Sequence, residues 1–145
     1  MLQWWRKIFG RARARDSGSR GEQLAADWLG RERHFVIVAR NWRSPRDRRD
    51  ELDLVCRDGD ALVFVEVKTR GVAALVPGYY AVDTRKKRVL KRAAEAYLAG
   101  LREKPRTFRL DVVEVVLPSE ASAKGDAPEI RHFENVALFS KHFRA

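Results

Sequence analysis

Residues 34–42, HFVIVARNW, have an apolar centre between polar ends, which predicts a short strand. ELDLVC at 51–56 alternates acidic and apolar residues with a period of two. ALVFVEVKT at 61–69 is a near-continuous apolar run rich in Val and Phe. Only the turn Asp58-Gly59-Asp60 separates these last two segments, so they predict an antiparallel hairpin. FRLDVVEVVL at 108–117 predicts a further strand closed by Pro118, and EIRHFENVALF at 129–139 a last short strand and a terminal turn. RSPRDRRD (43–50), GVAALVPGYY (71–80) and PSEASAKGDAP (118–128) predict loops.

Two segments repeat at helical spacing instead. In GEQLAADWLGRE (21–32), Gly21, Leu24, Ala25, Trp28 and Leu29 form one stripe, with Ser19 as the expected N-cap and Glu22 as its capping-box partner. At about 100° per residue Glu22 falls only about 20° from Leu29, an unusual place for a merely solvated carboxylate. The longer helix is DTRKKRVLKRAAEAYLAG (83–100), capped by Asp83, with Val89, Leu90, Ala93, Ala94, Tyr97, Leu98 and Leu101 recurring. Arg85, Lys86, Arg88 and Arg92 are expected on its opposite face. The order α-β-β-β-α-β predicts an α/β fold, a mixed β-sheet flanked by helices. Residues 1–18 form a basic aromatic appendage and 19–145 a single domain.

Charge narrows the partner class. Thirty Lys and Arg against twenty Asp and Glu give a formal net charge of +10 in 145 residues. Such an excess favours polyanions, nucleic acid above all, although indifferent basic surfaces are common. Cys56 is the only cysteine, so an internal disulfide and a thiolate zinc cluster are excluded. His34, His132 and His142 lack metal-ligand spacing. No apolar run is long enough to span a bilayer, and Arg6 and Lys7 interrupt any signal-peptide core, which points to the cytoplasm. In the appendage Leu2, Trp5, Ile8 and Phe9 share a helical face beside arginines. That segment reads either as an interfacial dock for a membrane, nucleic acid or protein partner, or as a frayed terminus packed partly on the domain.

The hairpin carries acids where a sheet prefers apolar side chains. Period-two alternation sends Glu51 and Asp53 one way and Leu52 and Leu54 the other. It also places Leu62, Phe64, Glu66 and Lys68 on one face, opposite Val63, Val65 and Val67. Glu66 thus follows five apolar residues on a face that Phe64 buries, which is costly unless it is paired or bound to a cation. Hairpin pairing brings Asp53 beside Glu66, with Lys68 projecting next to both. Two carboxylates and a lysine suit a hard divalent cation such as Mg²⁺ and a phosphate. A structural Glu66–Lys68 salt bridge is the competing reading.

With the landmarks GEQLAADWL, ARNWR, ELDLV, VFVEVKTR, PGYYAVDTRKKRVLKRAAEAYL and FRLDVV in this order, the chain resembles the YraN-like family of bacterial proteins. That family belongs to the restriction-endonuclease-like superfamily with archaeal Holliday-junction resolvases. The resemblance implies Asp53 and Glu66 as metal ligands, Lys68 as the catalytic lysine and Glu22 as a first-helix acid supporting the metal. It implies Glu51 as a second ligand or a hydrogen-bonding support, and Arg40, Asn41, Arg43 and Arg70 as phosphate contacts. Arg85 and Lys86 on the basic helix would track phosphates as well. Asp111 would have a structural role beside the sheet. Asp50 stands where the family usually has glycine, at a turn suited to positive φ. The implied activity is a nuclease dependent on Mg²⁺ or Mn²⁺, acting on DNA rather than RNA, on branched or damaged structures, as a symmetric homodimer. No sequence-reading module is visible. The alternative is a nucleic-acid-binding or scaffold protein that keeps the fold without cleaving.

Overall fold

The computed structural model describes residues 18–72, 83–119 and 125–138. The rest of the N-terminal appendage, residues 73–80 of the predicted 71–80 loop, residues 120–124 and Phe139 lie outside the described residues. Helix α1 covers 18–32 and is followed by β1 (Val36–Arg43), β2 (Glu51–Asp58) and β3 (Ala61–Gly71). Then come α2 (Thr84–Gly100), β4 (Thr107–Leu117) and β5 (Glu129–Val136). The strands lie in the spatial order β1-β2-β3-β4-β5. Only β3 and β4 run parallel, because α2 intervenes between them; the other neighbours are antiparallel. This is the mixed, helix-flanked sheet of a restriction-endonuclease-like α/β fold.

Each helix covers one face of the sheet. Leu90, Ala93, Ala94 and Leu98 of α2 pack on Leu52, Val55, Leu62, Phe64, Leu110 and Val112. Ala25, Ala26 and Leu29 of α1 pack on Leu54, Cys56, Val63, Val65, Val113 and Val115. The central strand β3 is buried continuously from Leu62 to Val67, which accounts for its unbroken apolar sequence.

Two local expectations are corrected. Ser19 lies inside α1, whose described helix reaches back to Gly18, so it is not the N-cap and Glu22 is not a capping-box partner. Leu52 and Leu54 do not share a face: Leu52 joins the α2 cluster and Leu54 the α1 cluster. The alternation breaks at Asp53. Opposite it in β1, between the pairs Arg40↔Leu54 and Trp42↔Leu52, sits Asn41 with φ 47°. A left-handed residue inside a strand re-aims its neighbours, and asparagine tolerates that conformation better than most side chains. At α2, by contrast, the expected cap is present, with Asp83 Oδ1 accepting from the Lys86 N–H at 2.8 Å.

Candidate active site

The disturbed stretch of sheet is where the acids gather. The β2–β3 ladder runs from Asp58↔Ala61 to Leu54↔Val65 and stops one step before Asp53 and Glu66. There the Asp53 carboxylate takes over a backbone bond, accepting from the Val67 N–H at 2.8 Å. Glu66 is on the α2 face and is only 2% exposed. Its Oε1 is 2.9 Å from Lys68 Nζ and 3.2 Å from Lys86 Nζ. Its Oε2 is buried and has no hydrogen-bond partner among the described residues.

Burial first, and then the charge of Glu66, push the Asp53 carboxyl up to about 8, against the Val67 N–H and Lys86, which pull it down. Two acids whose charges repel one another are poorly satisfied by the protein alone. A divalent cation would offset the repulsion and use the idle oxygen, so the donor set of Asp53 and Glu66 fits Mg²⁺ or Mn²⁺ completed by water and phosphate. No three His, Cys, Asp or Glu side chains among the described residues stand close enough to hold an ion between them. The fit therefore rests on two carboxylates.

Glu22 reaches this region from α1. Burial raises its carboxyl, a hydrogen bond from the Asn41 side chain lowers it, and the charges of Glu51 and Glu66 raise it again; the net shift is upward. Glu51 is engaged by Arg43 at 3.2 Å. Of the residues expected to meet phosphate, Arg40 donates to Gln23 at 2.7 Å and Arg70 Nε lies 3.5 Å from Glu114. Arg85 is exposed in the first turn of α2. Asn41 is at once the left-handed kink of β1 and the partner of Glu22. Asp50 needs no positive φ, and Arg92 grips it with both nitrogens at 2.8 and 3.2 Å, tying the 43–50 loop to α2.

The reading of Lys86 as facing away from the sheet is corrected, since Lys86 reaches Glu66; Arg92 does stay exposed, and reaches Asp50 in the 43–50 loop. The signal for Lys86 was available. Counted from Leu90 and Ala93, Lys86 lies at i−4 and i−7 on the apolar stripe, the helical positions that face the sheet. Glu114 was also missed. It is a second nearly buried acid on the α2 face, beside Lys68 in the β3–β4 register and paired with Arg70 and Arg131. Its signal was an acid inside the apolar run of β4. Asp111 does hold structure together. It is fully buried and accepts from Arg109, His132 and the Asn135 N–H.

A model described as "Uncharacterised protein family UPF0102" matches residues 21–115, a span that holds Glu22, Asp53, Glu66, Lys68 and Lys86. A UPF0102 protein of Geobacter metallireducens is 39% identical over 118 residues, covering 81% of this chain and 88% of the relative. One from Beutenbergia cavernae is 43% identical over 113 residues, 77% and 92% of the two chains. One from Symbiobacterium thermophilum is 46% identical over 103 residues, 70% and 83%.

Proposed function

The chain belongs to the uncharacterised protein family UPF0102, and from that premise we propose that it is a divalent-metal-dependent nuclease hydrolysing phosphodiester bonds in DNA, branched or damaged structures in particular. The observation that carries this reading is the opening of the β2–β3 ladder at Asp53 and Glu66, where a half-buried and a buried carboxylate come together with Lys68 on Glu66 and an idle oxygen beside it. Asp53 and Glu66 would hold Mg²⁺ or Mn²⁺, which when bound supplies Lewis acidity to the scissile phosphate and acidifies a coordinated water.

The protein's own groups do the rest. Lys68 keeps 26% of its side chain exposed while its ammonium touches Glu66, so it can donate to an attacking water and offset charge growing on the phosphate. Glu22 and Glu51 add acidic charge around the pair and are engaged by the side chains of Asn41 and Arg43. Exposed arginines at the start of α2, Arg85 and Arg88, would track the phosphate backbone, as the net charge of +10 suggests. Kinship with resolvases supports DNA over RNA and a symmetric homodimer, which paired incisions would use.

The test is a cleavage panel of linear, single-stranded and four-way-junction substrates with Mg²⁺, Mn²⁺ or chelator. Cleavage of the junction should need metal, and Glu66→Ala or Lys68→Ala should reduce it by about 100-fold or more. Undiminished cleavage by Glu66→Ala would falsify the assignment. A second reading, a nucleic-acid-binding protein that does not cleave, draws support from the two ammonium groups that already balance the acids. It requires salt-sensitive binding that survives both chelator and Lys68→Ala.

A further inference from the structure

We propose that Lys86 is a built-in counter-ion of the carboxylate pair, which a divalent cation must displace before the site can act. The inference rests on the metal-dependent reading of Asp53 and Glu66 and adds to it the residue that controls access of the cation.

The charge count comes first. Asp53 and Glu66 carry two negative charges when ionised, and Lys68 and Lys86 carry two positive ones. Both ammonium groups converge on the same oxygen, Glu66 Oε1, at 2.9 and 3.2 Å. A divalent ion arriving with both lysines in place would leave the cluster with an excess of two positive charges in a partly buried site. A cation on the idle Oε2 would also face, across the same carboxylate, an ammonium 3.2 Å from Oε1 and repel it. Withdrawal of one lysine relieves that excess.

The fold decides which. Lys68 stands in mid-strand on β3, in register with Glu114 of β4, and its base moves only if the sheet does. Lys86 is in the first turn of α2, and 34% of its side chain is exposed against 26% for Lys68. Its four-carbon stem can swing to water without disturbing the Asp83 cap, which holds the backbone N–H and not the side chain. The remaining charged neighbours are consistent with this. Glu22 and Glu51 are held by Asn41 and Arg43, and Glu114 has Arg70 and Arg131, so Lys86 balances the Asp53–Glu66 pair and not these acids. Until the cation arrives, Lys86 lowers the cost of holding the buried Glu66 carboxylate near Asp53.

Binding of Mn²⁺ to the full chain without nucleic acid, followed by the spin-resonance signal of free Mn²⁺, tests this. Lys86→Met should bind Mn²⁺ about tenfold more tightly than the unaltered protein, the effect of removing one competing charged hydrogen bond. Lys87→Met removes the same charge one residue away and should stay within about twofold. In chelator Lys86→Met should melt at a lower temperature than the unaltered protein, and Mn²⁺ should raise its midpoint by more. Equal or weaker binding by Lys86→Met, or an equal gain in Lys87→Met, overturns displacement while leaving the metal-dependent reading intact. If neither the unaltered protein nor Lys86→Met binds Mn²⁺, or if Glu66→Gln binds it undiminished, both readings fall.

Discussion

Gly21 packs α1 directly against Thr69 of the strand that carries Glu66 and Lys68. A Cβ added there would stand 1.8 Å from Thr69 Oγ1, 3.0 Å from its Cβ and 3.2 Å from its Cγ2. Replacing a helical glycine by alanine normally stabilises by about 1 kcal/mol, because glycine is the costlier residue in a helix. Gly21→Ala should do the opposite. Turning the Thr69 side chain moves its oxygen away but leaves its Cβ at 3.0 Å, so the helix and strand have to part. Overpacking of this kind costs about 1–3 kcal/mol, which against the propensity gain leaves a net loss of up to about 2 kcal/mol. Urea denaturation should show a lower midpoint with an unchanged slope. Thr69→Ala removes both γ atoms, so in that background Gly21→Ala should become neutral or stabilising, a coupling of about 2 kcal/mol in the double-mutant cycle. A Gly21→Ala protein more stable than the original would refute the close-packing argument. Because Glu22 is the next residue, the variant should also weaken Mn²⁺ binding if α1 helps to shape the site.

Three other outcomes follow from named contacts. Burial pushes the Asp111 carboxyl up, but bonds from His132, Arg109 and the Asn135 N–H outweigh it, and the net shift is below its ordinary 3.8. A lowered carboxyl stabilises the fold above that ordinary value and loses the contribution as pH falls through the folded value, so stability should drop below about pH 4. Asp111→Asn should cost about 3 kcal/mol at pH 7 and flatten the acid limb, and an unchanged acid limb in urea titrations would contradict this. At Asn41, with φ 47°, Asn41→Ala should be about 1 kcal/mol less stable than Asn41→Gly, since both lose the Glu22 contact and only alanine is strained. The reverse order of urea midpoints would count against the strain. Asp50→Gly frees the 43–50 loop from Arg92, and its amides should exchange hydrogen faster, while amides of β4 serve as the unaffected control.

Much of this protein is written in its local sequence. The alternation of 51–56, the apolar run of 61–69 and the stripe of 83–100 determine β2, β3 and α2, because period two and period 3.6 each have one low-energy solution for burying an apolar face. An acid embedded in such a run is costly wherever the run folds, so Glu66 stood out before any neighbour was known. What the chain could not disclose by periodicity depends on contacts between distant elements. Asn41 lies opposite Asp53 only after β1 and β2 pair, and its left-handed backbone then breaks the alternation that had placed Leu52 and Leu54 together. Lys86 meets Glu66 only because α2 crosses the sheet face with its first turn over that strand, and Asp50 finds its cationic partner only because Arg92 reaches it from forty-two residues away. Local propensity therefore determines which segments are strands and helices. The tertiary packing decides which charges share a low-dielectric pocket, because that energy depends on separations of a few ångströms that the order of residues does not encode.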